Sequence, residues 1–160
     1  MFTKALVQAI GVLIFSAIVG LGINALRPDG VPLVHAEESA VKLDNSNGEV
    51  SIKDAAMLFI SQRAVFLDAR SRMEFDAGHI QHALSFPVEE LDFVFEELAP
   101  KLKDAETIIT YCDGERCPLS HELAQNLRAR GFDNVYVLKN GWTLWQNEKL
   151  PVETGEGNRL

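Results

Sequence analysis

The sequence predicts an α/β domain with a mostly parallel sheet flanked by helices, preceded by one transmembrane helix. Three observations predict it: an uncharged apolar segment at residues 5–26, short apolar runs typical of buried strands, and amphipathic helical stretches that alternate with those runs. A length of 160 residues suits one compact domain with appendages and is short for two full domains.

The apolar segment at residues 5–26 carries no charged side chain. As a helix it would be about 33 Å long, which is enough to cross a hydrocarbon core of roughly 30 Å. Lys4 and the N-terminal amine precede the segment, whereas Arg27 follows it close to Asp29, so the charge distribution favours a cytoplasmic N-terminus. We therefore expect a membrane anchor over residues 1–27, a single-pass cell-membrane protein, and a domain on the exported (periplasmic or extracellular) side.

A cleaved signal peptide is the competing interpretation of the same segment. Val34, His35 and Ala36 resemble a cleavage site. The apolar stretch is longer than a usual signal-peptide core, and Ala36 lies ten residues beyond its end, which favours a retained anchor. Both interpretations place the domain outside the cytoplasm.

Charge and cysteine content exclude several classes of function. Lys4 is the only charged side chain in the first 26 residues, so residues 27–160 carry 14 basic and 23 acidic side chains, a formal charge of −9. This charge repels phosphate backbones, so we expect no nucleic-acid partner. The two cysteines and four histidines have no zinc-ligand spacing, so we expect no metal site.

Composition divides the remaining chain into three parts. Residues 28–47 contain proline, glycine and polar residues without periodicity, which predicts a linker. The folded domain is expected over residues 48–152, and residues 153–160 are expected to form a loose polar tail.

Local patterns predict the elements of the first half of the domain. In chain order we expect a helix at 51–61, a strand at 64–68, a short helix at 71–77, a strand at 83–86 and a helix at 89–98. Ser51 with an acid three residues later is a helix N-cap signal, and the short run AVFLD is typical of a buried strand. Residues 89–98 place four large apolar side chains on one helical face.

The second half continues the alternation. We expect a strand at 107–111, a helix from Pro118 with Gly131 as its C-terminal cap, a strand at 135–138 and a terminal helix carrying Trp142 and Trp145. The strand TIITY is the clearest of these, because it is rich in β-branched residues.

Cys112 is the first residue after that strand, where parallel α/β sheets bind their ligands. Gly114 allows a tight loop, and Pro118 suits the first turn of the next helix. Such a loop can direct backbone N–H groups at an anion and, with the helix dipole, favour thiolate over thiol. A thiolate beside an anion site suits attack on the sulfur of a small anionic donor without a cofactor. The alternative is an inert buried cysteine at the end of a core strand.

The sequence resembles the rhodanese-like domain family over residues 48–152. The resemblance is carried in the first half by Phe66-Leu67-Asp68-Ala69-Arg70, Glu74-Phe75, Gly78-His79-Ile80 and Ala83-Leu84-Ser85-Phe86-Pro87. In the second half it is carried by Thr110-Tyr111-Cys112, Gly131-Phe132, Asn134-Val135-Tyr136-Val137-Leu138, Gly141 and Trp145.

This resemblance implies a single-domain sulfurtransferase with Cys112 as its nucleophile. In the family the matching cysteine takes a sulfane sulfur from thiosulfate or a similar donor and passes it, as a persulfide, to a thiophilic acceptor such as a thiol or cyanide. It further implies that Asp68 and Arg70 support the site as an ion pair. His79 is implied to belong to a structural turn and not to act as a general base.

The loop after Cys112 departs from the usual family pattern. Cys117 stands where the family usually has an arginine or similar residue, and Arg116 lies one position earlier. The pattern over residues 111–120 resembles a subgroup with a second loop cysteine. We expect the donor to be bound by the loop residues Asp113, Gly114, Glu115 and Arg116.

Three alternatives to simple sulfur transfer stay open. Cys117 could resolve an oxidised or persulfidated Cys112 by forming a disulfide, or be a passive loop residue. The domain could also be a non-catalytic binding module. A phosphatase or arsenate reductase of related fold ranks low, because such sites need an arginine where this loop has Pro118.

Overall fold

The computed structural model describes residues 2–26, 43 and 48–155. The chain divides into two compact units, Met1–Ala40 and Val41–Leu160. The predicted linker at 28–47 lies outside the described residues except for Leu43, and so does the end of the predicted tail, residues 156–160.

The first unit contains one helix, α1 (Phe2–Leu26). Its stretch Lys4–Asn24 is long and apolar enough to cross a membrane, and none of that stretch is buried within the protein. The predicted helical character of residues 5–26 is therefore confirmed.

The second unit alternates helices and strands in the predicted way. In chain order it contains α2 (Ile52–Ile60), β1 (Ala64–Asp68), α3 (Arg72–Ala77), β2 (His79–Ile80), β3 (Leu84–Ser85), a 3₁₀ turn (Val88–Glu90), α4 (Leu91–Lys103), β4 (Thr107–Tyr111), α5 (Leu119–Ala129), β5 (Val135–Leu138), α6 (Gly141–Asn147) and β6 (Val152–Glu153). The predicted strands at 64–68, 107–111 and 135–138 are confirmed. The helix start with a cap signal is also confirmed, since Ser51 accepts from the Asp54 amide. The structure adds a capping box at the start of α3, formed by Ser71 and Glu74.

A four-stranded parallel sheet in the order β3-β1-β4-β5 forms the centre of this unit. The two central strands pair along their whole length, with Ala64 opposite Thr107 and Asp68 opposite Tyr111. All four strands therefore point their carboxyl ends to the same edge, where β1 ends at Asp68 and β4 at Tyr111.

Three elements, α4, β2 and β6, differ from the sequence-based expectation, and β2 was not predicted at all. The helix predicted at 89–98 begins with a 3₁₀ turn and runs on to Lys103 with Pro100 inside it, because Leu98 and Leu102 bury their side chains against the core. The predicted polar tail begins too early: Glu153 lies in β6, opposite His79 of β2, and the Gly155 amide donates to the Asp76 carbonyl at 2.8 Å. Two-residue strands are too short to leave a periodic pattern.

The sheet separates two hydrophobic cores, because alternate side chains of a strand point to opposite faces. The α4/α5 core contains Leu67, Ile108 and Cys112 with the buried faces of α4 and α5. The α2/α6 core contains Phe66, Ile109, Tyr111 and Trp145 with residues of α2 and α3. Cys112 and its neighbour Tyr111 therefore belong to different cores.

Candidate active site

Strand β4 brings Cys112 to the carboxyl edge of the sheet. The whole strand is buried, and Cys112, the next residue, is only 1% exposed. Its position is fixed by the backbone: the Ala69 amide donates to the Tyr111 carbonyl at 2.9 Å, and the Trp142 amide donates to the Cys112 carbonyl at 3.2 Å. The predicted nucleophile thus lies at the edge where parallel α/β sheets bind ligands.

The loop from Asp113 to Arg116 is exposed, but its backbone is held by hydrogen bonds. Gly114 has a φ of 85°, and its amide donates to the Asn140 side-chain oxygen at 2.9 Å. The Cys117 amide donates to the Gly114 carbonyl at 3.2 Å, which closes a tight turn. The Thr143 hydroxyl donates to the Asp113 carboxylate at 2.5 Å. The loop is therefore attached to the start of α6 at two points.

The two cysteine sulfurs are joined as a disulfide. The two Cα atoms are 6.5 Å apart, within the usual range for bridged cysteines. Cys117 is partly exposed, whereas Cys112 is covered. The structure therefore represents the oxidised form of the loop, in which Cys117 is the more exposed of the two bonded residues.

The sulfur of Cys112 also lies against the first turn of α5. Its Sγ is 3.2 Å from the hydroxyl oxygen of Ser120, a fully buried residue. The helix begins at Leu119 with Pro118 as its N-cap. A hydroxyl donor and the positive end of a helix dipole both stabilise a thiolate, so the reduced form of Cys112 has the surroundings of a nucleophile.

The charges of the loop are mixed. The Glu115 carboxylate lies 3.6 Å from the Lys139 ammonium group. The same carboxylate accepts a hydrogen bond from the Asn140 side-chain nitrogen at 3.4 Å. Within residues 48–155, Arg116 forms no ion pair, and the amides of Glu115 and Arg116 have no hydrogen-bond acceptor. Arg116 and these two amides are therefore among the loop groups open to an incoming anion.

Asp68 and Arg70 form a buried ion pair in the turn after β1. The Arg70 Nη2 atom is 2.6 Å from Asp68 Oδ2, and Nε is 3.0 Å from Oδ1. Burial opposes the charge of Arg70, but the hydrogen bonds and the charge of Asp68 outweigh it, so the pKa of Arg70 lies above its ordinary value. The same guanidinium donates to the Gly78 carbonyl at 2.7 Å and lies 4.6 Å from the centre of the Trp142 ring.

The ion pair and the predicted nucleophile, Cys112, lie on opposite faces of the sheet. Asp68 hydrogen-bonds the hydroxyl of Tyr111, which belongs to the α2/α6 core, whereas Cys112 belongs to the α4/α5 core. Burial first, then the charge of Asp68, raises the pKa of Tyr111 well above its ordinary value. Trp142 connects Arg70 to the Cys112 backbone. The Arg70 guanidinium lies over the Trp142 ring, and the Trp142 backbone amide donates to the Cys112 carbonyl.

Sequence reasoning assigned no role to Ser120, Asn140 or Thr143, which contact the loop residues or Cys112. Ser120 shares the inward face of α5 with Leu123, Ala124 and Leu127, so a polar residue on an apolar stripe was a usable signal. The contacts of Asn140 and Thr143 left no such signal, because they depend on how α6 docks.

The described residues outside the loop add no metal-binding group. Among the described residues, no group of three or more His, Cys, Asp or Glu side chains could hold a metal ion. His79 is fully buried, with Nδ1 2.7 Å from the Phe75 carbonyl and Nε2 3.2 Å from Glu153, which is the environment of a structural residue.

Comparison with known proteins agrees with this geometry. The rhodanese-like domain family matches residues 51–148. The uncharacterized protein YibN of Escherichia coli strain K12 is 32% identical over 103 residues, which cover 64% of this chain and 70% of YibN.

Two solved structures share the fold. The BH2092 protein from Bacillus halodurans is 26% identical, with a TM-score of 0.59 over 70% of this chain and 80% of that chain. A thiosulfate sulfurtransferase from Pseudomonas aeruginosa is 25% identical, with a TM-score of 0.57 over 68% of this chain but only 20% of its own length. The chain belongs to the rhodanese-like domain family, which includes sulfurtransferases.

Proposed function

We propose that the protein is a sulfurtransferase that moves a sulfane sulfur from thiosulfate or a similar donor, through a persulfide on Cys112, to a thiophilic acceptor. The observation that supports this most is the position of the Cys112 sulfur, which follows the central strand β4 and lies 3.2 Å from the Ser120 hydroxyl at the start of α5. Because the thiolate is the nucleophile, the Cys112–Cys117 disulfide has to be reduced before the reaction begins.

The first half-reaction is attack on the donor. The Cys112 thiolate attacks the outer sulfur of thiosulfate, the donor S–S bond breaks, and sulfite leaves with the bonding electron pair. The Ser120 hydroxyl and the N-terminal end of α5 stabilise the thiolate before attack. No metal or organic cofactor is needed for this displacement.

Loop groups bind the donor in this proposal. The sulfonate of thiosulfate carries oxygen acceptors, which suit the Arg116 guanidinium and the free amides of Glu115 and Arg116. Gly114 gives the turn its shape, and Asp113 is held by Thr143. The exposed carboxylates of Asp113 and Glu115 oppose an anionic donor, so we expect weak binding of free thiosulfate.

The second half-reaction returns the cysteine. A thiol or cyanide-like acceptor attacks the outer sulfur of the persulfide, and the Cys112 thiolate is the leaving group. We assign Asp68 and Arg70 a supporting role, because their ion pair holds the Trp142 ring whose backbone amide bonds the Cys112 carbonyl.

We further infer that residues 5–26 anchor the chain in the cell membrane, with the domain over residues 48–152 on the exported side. Support comes from the uncharged stretch 5–26 of helix α1 and from the balance of charges around it. Two reporters fused after Leu160 test the orientation: a phosphatase active only after export and a fluorescent protein that matures only in the cytoplasm. Activity of the first alone agrees with the inference, and fluorescence of the second contradicts it.

Sulfur transfer is tested on the full chain in detergent. The protein is reduced, freed of reductant and mixed with thiosulfate and cyanide, and sulfite and thiocyanate are measured. We expect both products from the wild type and neither from Cys112→Ser. If no thiocyanate forms above the Cys112→Ser background with thiosulfate, an organic thiosulfonate or a polysulfide as donor, sulfur transfer is wrong and a binding module remains.

A further inference from the structure

We propose that Cys117 resolves the Cys112 persulfide, so that the domain releases the transferred sulfur as hydrosulfide and is reset by an external dithiol. This inference rests on the proposed sulfur transfer and adds an activity to it. With no other acceptor present, each reduced chain would convert one thiosulfate into sulfite and hydrosulfide and finish as the disulfide form.

The loop already holds the two sulfurs in the product arrangement. Cys112 and Cys117 are bonded, and their Cα atoms are 6.5 Å apart. The turn that carries Cys117 is closed by its own amide, which donates to the Gly114 carbonyl, and Gly114 is attached to Asn140. Forming the bond therefore requires no backbone arrangement other than the one these hydrogen bonds stabilise.

The resolving step balances without an outside oxidant. The Cys117 thiolate attacks the inner sulfur of the Cys112 persulfide. A bond forms between the two cysteine sulfurs, the bond to the outer sulfur breaks, and the outer sulfur leaves with the electron pair as hydrosulfide. The two cysteines are oxidised by two electrons and the sulfane sulfur is reduced by two.

Exposure determines how the disulfide is opened. An external dithiol can reach Cys117, which is partly exposed, whereas Cys112 is 1% exposed. One thiolate of the dithiol attacks the Cys117 sulfur and forms a mixed disulfide, and Cys112 leaves as a thiolate. The second thiol of the dithiol then attacks the dithiol sulfur that is bonded to Cys117. This step frees Cys117 and yields the oxidised dithiol.

The surroundings of Cys112 favour it as the leaving group. Its sulfur lies 3.2 Å from the Ser120 hydroxyl and against the first turn of α5, and both stabilise the departing thiolate. Reduction from the Cys117 side therefore returns Cys112 directly to the state that attacks the next donor. A dithiol reductant is the class of partner that this arrangement suits.

A single-turnover experiment tests the proposal. The full chain in detergent is reduced, freed of reductant and given thiosulfate with no acceptor. Sulfite, hydrosulfide and intact mass are then measured. The chain has two cysteines, so each mass change is unambiguous. We expect one sulfite and one hydrosulfide per wild-type chain, with the loss of two hydrogen atoms from its mass.

Cys117→Ser is the matched variant for this experiment. It removes the resolving thiol, so we expect it to gain one sulfur atom in mass and release no hydrosulfide. A wild type that keeps the added sulfur and releases no hydrosulfide would overturn the resolving step while sulfur transfer stands. If neither protein releases sulfite or gains sulfur, both proposals are overturned.

Discussion

The neighbouring strands β1 and β4 end at the same edge of the sheet, yet the segments at their ends differ in burial and in bonding. At the end of β1, Asp68 and Arg70 bury their charges and pair with each other. After β4, the loop from Asp113 to Arg116 exposes its charges. The cysteines on either side of it, Cys112 and Cys117, form the one disulfide in the described part of the chain. In the proposed function the first segment is the fixed support and the second is the reactive element. A site of this kind needs both, because a loop can change its bonding only against a framework that does not move.

Removing one charge of the buried ion pair should give the largest loss in the free energy of unfolding. Asp68→Ala leaves Arg70 buried without its partner and also removes the acceptor of the Tyr111 hydroxyl. We expect a loss of about 3–5 kcal/mol in the free energy of unfolding. Urea unfolding of the full chain in detergent measures it.

Glu90→Ala is the matched control for that prediction. Glu90 also pairs with an arginine, Arg72, and accepts two hydrogen bonds from its Nε and one from its Nη2. Both side chains are more than a third exposed. We expect a loss of no more than about 1 kcal/mol. Equal losses for the two variants would mean that burial does not distinguish these pairs.

The elements and the position of Cys112 were predictable, whereas the contacts around its sulfur were not. The strands AVFLD and TIITY are local apolar runs, and the location of Cys112 follows from the end of the second. The pairing of Asp68 with Arg70 came from the family resemblance. The attachment of Gly114 to Asn140 joins residues 26 positions apart and depends on how α6 docks against the sheet, which no local pattern records.

Tyr111 connects the two segments, because it lies between Cys112 and the ion pair. Its hydroxyl bonds Asp68 and accepts from the Ile80 amide at 3.1 Å. Tyr111→Phe leaves both groups without this partner, so we expect a loss of about 1–3 kcal/mol near neutral pH.

The same variant should change the response to alkali. Burial raises the pKa of Tyr111 in the folded protein, so the unfolded chain loses this proton first. The stabilising contribution is complete below the unfolded pKa of about 10 and falls as the pH rises through and above it. Unfolding free energies at about pH 8 and about pH 11 should therefore show a smaller gap between wild type and Tyr111→Phe at the higher pH. A gap independent of pH would contradict the prediction.

On the reactive side, Ser120→Ala should slow sulfur transfer more than it destabilises the fold. The hydroxyl 3.2 Å from Cys112 stabilises the thiolate, and a hydrogen bond to a charged group contributes about 1.5–3 kcal/mol. We expect sulfite release to slow by at least about tenfold. In a Cys117→Ser background, the pH midpoint of Cys112 alkylation should rise. Ser120→Thr keeps a hydroxyl and should restore the midpoint, whereas an unchanged midpoint in Ser120→Ala would mean that the hydroxyl only fills space.

The smallest effect is expected at Arg116, the exposed cation of the loop. Arg116→Gln should leave the free energy of unfolding within about 0.5 kcal/mol of the wild type, because the side chain forms no ion pair in the described part of the chain. It should raise the KM for thiosulfate about two- to fivefold, since an exposed charge contributes no more than about 1 kcal/mol. Lys139→Gln removes an equal charge beside the same loop, at a side chain that faces Glu115. If Arg116 contacts the donor, only its variant raises KM, and added salt reduces the difference. Equal rises in both variants would mean that the loop senses net charge, and that the donor is held by backbone amides alone.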